Sequence, residues 1–320
     1  MKLRIGTRGS ELALWQARKV EQEIARHNHD VQIEIRIVKT TGCLKQGTTQ
    51  AGVSDKKEWV HELEQALLAS DIDIAVHSAK DVPGDIVDGT WITSVLPRAN
   101  PLDVLLSRKP LSAGAVASSS PSLELLQTLP SGARLGTASK RRRAQLLYQR
   151  PDLEIQPLRG NVPTRLRKLL EGDVDFAVLA AAGIERLGLF PEYMSLLSAE
   201  LCLPAVNQGI LAVQSRIEDD AVRRILLSLV DTSTEQCFIA EREVVRILGA
   251  DCNSAVGVFA EIVEARLSLR AQVFSVDGEV MIEARAEGAV ADRESIAQCQ
   301  ELGAGVAKSL LAQGAEKLLH

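Results

Sequence analysis

No apolar run in this chain approaches the roughly 18 residues that a membrane-spanning helix needs. The opening, Met1-Lys2-Leu3-Arg4-Ile5-Gly6, passes straight into a strand pattern without a long apolar core or cleavage site, so a cytoplasmic location is expected. No Cys-x-x-Cys pair occurs, and the five cysteines (Cys43, Cys202, Cys237, Cys252, Cys299) are odd in number and widely spread. Neither a disulfide framework nor a metal site is indicated. Four of them read as small buried apolar residues, and one is a candidate for special chemistry. Gly-x-x-x-x-Gly-Lys-Ser/Thr and Gly-x-Gly-x-x-Gly are both missing, which removes the usual support for nucleotide binding. Excess basic charge is missing too: the formal net charge is −5. That argues against general nucleic-acid or membrane-surface binding, so any basic site must be local.

What is present is the composition of a soluble globular protein, 46% hydrophobic and 25% charged over 320 residues, long enough for two or three domains. Leu3 and Ile5 lead through Gly6-Thr7-Arg8-Gly9 to Ser10, a good helix N-cap, after which Leu12, Trp15, Val20 and Ile24 recur on one helical face. Val31, Ile33, Ile35 and Ile37 alternate with polar residues as in a half-buried strand. A helix over 58–69 and a strand over 72–78 complete a first α/β unit. The Ser-, Pro-, Gly- and Ala-rich stretch 107–131 reads as a loop or boundary. A second series follows: a strand into Gly136-Thr137, a helix over 141–147, a strand ending at Leu158-Arg159-Gly160, a helix opened by Asn161 with Pro163 in its first turn, and a strand over 176–180. Two such series suggest two related lobes with a cleft between them. Beyond about residue 220 a helix over 235–248, strands around Val276-Asp277-Gly278-Glu279 and a terminal helix indicate an α+β domain.

The most informative stretch is Ala75-Val76-His77-Ser78-Ala79-Lys80-Asp81-Val82-Pro83, where an apolar strand ends in a lysine and an aspartate side by side. Open α/β sheets bind ligands beyond the carboxyl ends of their strands. From these nine residues alone, a surface turn before Pro83 is an equal reading. Arginines gather at the same kind of position. Thr137-Ala138-Ser139-Lys140-Arg141-Arg142-Arg143 puts two hydroxyls and four cations at a helix start, where free N–H groups already favour an anion. Arg8 and Ser10 hold the equivalent junction of the first lobe, and Arg159, Arg165 and Arg186 lie near later strand ends. Such a set in an acidic protein suits a polyanion bearing carboxylates or phosphates. Lys140 to Arg143 taken alone also suits a solvated helix face.

Five ordered motifs make the resemblance specific: Gly6-Thr7-Arg8-Gly9-Ser10-x-Leu12-Ala13, Ala75-Val76-His77-Ser78-x-Lys80-Asp81-Val82-Pro83, Gly136-Thr137-x-Ser139-x-Arg141-Arg142, Leu158-Arg159-Gly160-Asn161-Val162-x-Thr164-Arg165-Leu166 and Leu203-Pro204-Ala205-Val206-x-Gln208-Gly209. Over residues 3 to about 315 the chain resembles the porphobilinogen deaminase (hydroxymethylbilane synthase) family. The resemblance implies two lobes like those of type II periplasmic binding proteins around a central cleft, plus a smaller α+β C-terminal domain. The divisions expected are 1–98 with 207–219, 99–206, and 220–320.

It also implies a transferase that adds four porphobilinogen units, with loss of ammonia, to a dipyrromethane cofactor held by a thioether, before hydrolysis releases the linear tetrapyrrole. The matching cysteine is Cys252, in Leu248-Gly249-Ala250-Asp251-Cys252-Asn253; the residues alone suggest a buried structural thiol there. Asp81 matches the catalytic carboxylate, which would stabilise positive charge on pyrrole nitrogen. Arg141, Arg142, Arg159, Arg165 and Arg186 would hold cofactor carboxylates, with Lys80, Ser78, Thr137 and Ser139 in support. Arg8, Ser10, Lys56, Trp59 and Gln208 would meet the substrate, and no metal is implied. The partners expected are porphobilinogen and the growing polycarboxylate oligopyrrole, with no nucleic acid or membrane, on a monomer.

The chain departs from the family in four places. Ser54-Asp55-Lys56-Lys57-Glu58-Trp59 stands where the family has a Gly-Gly-Lys-Gly-Leu-Phe lid, so Lys56 and an aromatic ring survive while the glycines are lost. Thr41-Gly42-Cys43 replaces Arg-Gly-Asp, Asn253-Ser254-Ala255-Val256-Gly257 replaces Gln-Val-Pro-Ile-Gly, and Asn207 replaces a glycine before Gln208. Two other readings are thereby kept open: a diverged paralogue making a shorter or differently released oligopyrrole, and a non-catalytic carboxylate-binding module.

Overall fold

A computed structural model describes residues 1–38, 55–110, 124–251, 253–290 and 295–319, with the side chains of 55–57 and 124 outside the description. The chain runs β1 (Lys2–Thr7), α1 (Glu11–His27), β2 (Gln32–Ile37), α2 (Asp55–Leu68), β3 (Ile74–Ser78), β4 (Thr90–Val95) and β5 (Asp103–Ser107). It continues with α3 (Glu124–Gln127), β6 (Arg134–Gly136), α4 (Lys140–Gln149), β7 (Glu154–Gln156), α5 (Val162–Glu171), β8 (Phe176–Ala180), α6 (Ala181–Arg186), β9 (Met194–Leu197) and β10 (Leu211–Arg216). Last come α7 (Asp220–Leu227), α8 (Thr232–Leu248), β11 (Val256–Val263), β12 (Arg266–Phe274), β13 (Met281–Ala289) and α9 (Ile296–Ala312).

These strands form two five-stranded sheets with one plan. The first has the order β2-β1-β3-β10-β4, with β1 parallel to β2 and β3, and β10 antiparallel to β3 and β4. The second, β7-β6-β8-β5-β9, repeats it: β6 is parallel to β7 and β8, and β5 antiparallel to β8 and β9. In each, the fourth place is taken by a strand that the chain enters on crossing from the other sheet. Parallel β1 and β3 end at the same edge, which brings Arg8 and Ser78 together; β6 and β8 do the same for Thr137 and the start of α6.

Both sheets are covered on two faces, so their central strands read as continuous apolar runs. In β5 the side chains alternate, Leu105 packing with Leu135 and Val178, and Val104 and Leu106 with Leu158 and Leu179 on the other side. Leu3, Ile5, Val20, Ile24, Val76 and Val213 form the matching core of the first lobe. The third sheet is an antiparallel meander, β11-β12-β13, under α8 and α9, with Ala240, Val244, Val258, Leu269, Val306 and Leu310 at its centre. Two expectations shift. β7 stops at Gln156, and Leu158-Arg159-Gly160 is irregular backbone ending in a bend at Gly160, which takes a φ of +117°. Of the stretch expected as loop or boundary, Ser107 closes β5 and α3 adds one helical turn, while 111–123 lie outside the described residues.

Candidate active site

Three strand-to-helix junctions are built on side-chain caps. Ser10 accepts from the Ala13 N–H, Ser139 from that of Arg142 and Asn161 from that of Thr164, each satisfying a donor that the helix start leaves open. At the first junction Arg8 lies over Trp59 with its guanidinium carbon 4.2 Å from the ring centre. Beside it, β3 ends in Ser78, whose Oγ accepts from Gln16 Nε2 at 2.7 Å, and a single 3-10 turn, Ala79–Asp81, follows. Arg8, Gln16, Trp59, His77, Ser78 and Asp81 line one cleft. His77 is 5% exposed, and burial, then the Arg8 cation, push its pKa down to about 4. It is a neutral imidazole at pH 7.

The second lobe contributes cations. Arg165 donates from Nε to the Gly160 carbonyl at 2.7 Å; burial, then Arg142, lower its pKa to about 10, while the Asp81 carboxylate acts in the opposite sense. The Asp81 charge therefore reaches an arginine of the other lobe. Arg186 donates to the Gly209 carbonyl at 2.6 Å and lies 5.9 Å from the Trp15 ring centre, and burial lowers its pKa to about 10 as well. Arg159 sits exposed in the irregular link before α5, and Thr137 Oγ1 accepts from the Ser139 N–H at 3.2 Å.

Arg141, Arg142 and Gln208, which the sequence assigns to ligands, are buried and share an internal partner, a carboxylate that no sequence motif singles out. Asp103, at the head of β5, accepts from Arg141 Nη2 and Arg142 Nη2 at 2.7 Å each and from Gln208 Nε2 at 2.8 Å. Burial alone would raise the Asp103 pKa; the two guanidinium groups outweigh it and hold the carboxyl well below its usual range. Gln208 also donates to the Pro101 carbonyl at 2.7 Å and accepts from Lys80 Nζ at 3.1 Å. Lys80, next to Asp81 in the first lobe, is thus linked through the crossover to Asp103 in the second. The signal for Asp103 was an acidic residue opening the apolar run Val104-Leu105-Leu106.

Two further contacts escape sequence reading because their partners are far apart in the chain. Glu241 of α8, fully buried, accepts from Arg98 Nη1 at 2.6 Å, from the Ala260 N–H at 2.8 Å and from the Asn207 N–H. Arg242 donates from Nη2 to the Pro83 and Gly84 carbonyls at 3.0 and 2.7 Å, so α8 braces the loop that follows Asp81. Gly209 has no alternative residue: its φ is +89° and a Cβ would lie 2.4 Å from the Ala99 carbonyl oxygen.

Cys252 and the side chain of Lys56 lie outside the described residues. Beside the former, Asp251 Oδ1 accepts from the Asn253 N–H at 2.8 Å and Ser254 Oγ from the Asp251 N–H at 3.2 Å. Cys202, Cys237 and Cys299 are buried; desolvation pushes their thiols up to about 12, 12 and 11, which leaves them unreactive as the sequence suggests.

Residues 3–224 match the family model described as porphobilinogen deaminase, dipyromethane cofactor binding domain, and residues 235–312 match porphobilinogen deaminase, C-terminal domain. The chain belongs to the porphobilinogen deaminase family. Porphobilinogen deaminase of Desulforamulus reducens is 38% identical over 100% of this chain and 97% of its own length. That of Chlorobium phaeobacteroides is 39% identical over 99% and 97%, and that of Nitrobacter winogradskyi 40% over 98% and 94%. Family membership extends across the cleft, the crossover and the third sheet alike. Among the described residues no helix is long and apolar enough to cross a membrane.

Proposed function

We propose that this chain polymerises porphobilinogen, with loss of ammonia, adding four units to a dipyrromethane on Cys252 and releasing hydroxymethylbilane for tetrapyrrole and heme biosynthesis. The observation that carries the reading is one carboxylate, Asp81, in a cleft with cations from both lobes around it: Arg8 in the same cleft, and Arg165 opposite, on which the Asp81 charge acts. Expelling ammonia from an aminomethylpyrrole develops positive charge on the pyrrole nitrogen. A fixed carboxylate facing that N–H stabilises the charge as it forms.

Dipyrromethane carries an acetate and a propionate on each ring, and the donor set suits such a group. Around Asp103, two guanidinium groups, Arg141 and Arg142, share one carboxylate and leave a local excess of positive charge, and Lys80 is joined to the same group through Gln208. Each of the two arginines also keeps a buried Nε–H with no acceptor among the described residues. Thr137 and Ser139 stand at the same helix start. Bound there through Cys252, the group supplies a free pyrrole α-carbon as the first nucleophile. Ser78, Lys80, Thr137, Ser139, Arg141, Arg142, Arg159, Arg165 and Arg186 hold its carboxylates, and Arg8, Ser10, Lys56, Trp59 and Gln208 serve the incoming substrate. The excess of donors over carboxylates within the site favours a ligand of many carboxylates over a small anion.

The enzyme works as a cytoplasmic monomer with lobes 1–98 plus 207–219 and 99–206, and a cofactor-bearing domain 220–320; sheet membership of β10 with β1 and β3 supports that division. The test is the intact mass of the purified protein with peptide mapping at Cys252, followed by product analysis with porphobilinogen. A two-pyrrole adduct and a product that cyclises to uroporphyrin support the reading. An unmodified Cys252 that stays unmodified after incubation with preformed hydroxymethylbilane overturns it.

A further inference from the structure

Asp103 has no side-chain exposure, yet it is the point on which three candidate ligand-binding side chains converge. Its Oδ2 accepts from Arg141 and from the Cys202 thiol (3.4 Å), and its Oδ1 from Arg142 and Gln208. The remaining bonds of the arginines are also internal: Arg141 Nη1 donates to the Leu203 carbonyl at 2.6 Å and Arg142 Nη1 to the Val178 carbonyl at 3.0 Å. Two buried guanidinium groups side by side repel each other, and without a counter-charge they would turn outward to water. A carboxylate held between them keeps both in place with one N–H each, Nε, still lacking an acceptor among the described residues. Gln208 extends the same fixation to Lys80 and so to the residue before Asp81.

We infer that Asp103 is a positioning residue for cofactor capture: it sets Arg141, Arg142 and, through Gln208, Lys80 in one constellation before any pyrrole carboxylate arrives. The inference rests on the proposed function and on pre-organisation, since groups already fixed lose little freedom when the ligand binds. A role confined to holding the second lobe together predicts something different: a less stable protein that loads its cofactor normally whenever folded.

The experiment compares wild type, Asp103→Asn and Asp103→Glu, each checked by circular dichroism to be folded at the assay temperature. Intact mass gives the loaded fraction on purification, and a time course with preformed hydroxymethylbilane gives the rate of adduct formation on any unloaded protein. Expected is a loading rate at least tenfold lower for Asp103→Asn, with partial recovery in Asp103→Glu, which restores the charge. A folded Asp103→Asn that loads at the wild-type rate overturns the inference. If Asp103→Asn does not fold, Gln208→Met replaces it, because it cuts the link to Lys80 while leaving both ion pairs intact. Slower loading in that folded variant supports the relay, and unchanged loading refutes it. A wild-type protein that never carries an adduct would instead sink the proposed function.

Discussion

The Arg98 guanidinium and the fully buried Glu241 carboxylate meet at 2.6 Å, joining the segment that enters the second lobe to α8 of the third sheet. Burial raises the Glu241 pKa, and Arg98 with the Asn207 and Ala260 N–H groups opposes it. Removing one partner strands the other charge in the interior. Glu241→Ala is expected to lose about 3–5 kcal/mol of stability, read by urea denaturation; a loss below about 1 kcal/mol would show that water reaches Arg98 freely.

Asp81→Asn should leave the fold intact and cripple turnover. A charge pair at ~4 Å with an effective dielectric of ~20 contributes about 4 kcal/mol, on the order of 10³ in rate. Steady-state kinetics of folded, cofactor-loaded variant protein test this, and near-normal kcat would remove Asp81 from its role.

Trp59→Leu keeps an apolar side chain but takes away the ring under Arg8. Cation–π contacts contribute about 0.5–2 kcal/mol, so KM for porphobilinogen should rise roughly 2- to 30-fold if the stack holds Arg8 ready for a carboxylate. An unchanged KM would mean that Arg8 finds its position without the ring.

Asn207 takes a φ of +55° while both polar atoms of its side chain are buried without partners among the described residues. Glycine removes the left-handed strain and the unpaired amide at once, against a smaller loss in backbone entropy. Asn207→Gly should therefore stabilise the protein by about 1 kcal/mol. Lower stability of the variant in denaturant would contradict this.

His77 makes stability depend on pH in a defined window. Its pKa is lowered from 6.5 to about 4 in the folded protein. Between those values the unfolded chain binds a proton that the folded one refuses. Stability is therefore full above pH 6.5, falls as the pH drops towards 4, and changes no further from this group below that. The fall amounts to roughly 3 kcal/mol. In His77→Gln this part of the pH dependence should vanish, as measured by denaturation midpoints at several pH values. An equally steep profile in the variant would place the titrating group elsewhere. Asp103 acts lower on the scale: its pKa is depressed, so its contribution persists above the ordinary carboxylate range and is lost only as the pH falls beneath it.

Much of the architecture was legible because its signals are local. Alternation in Ile33, Ile35 and Ile37, the caps Ser10, Ser139 and Asn161, and the apolar strand running into Ser78-Ala79-Lys80-Asp81 each depend on residues a few positions apart. These also set the fold class, since repeated strand–helix alternation with short links leaves few topologies. The ordered motifs, again sequence alone, were enough to identify the family.

Which polar residues pair with each other was decided only by tertiary structure. Arg141 and Arg142 have the spacing of ligand-binding arginines, but whether a guanidinium is free depends on where the nearest carboxylate falls, and Asp103 lies 38 residues from Arg141 in the chain. Gln208 reaches Lys80 across 128 residues and Asp103 across 105, and Glu241 reaches Arg98 across 143. Such pairs form because desolvated charges must find partners, and the partner is supplied by the crossing of the chain between two sheets rather than by any local pattern.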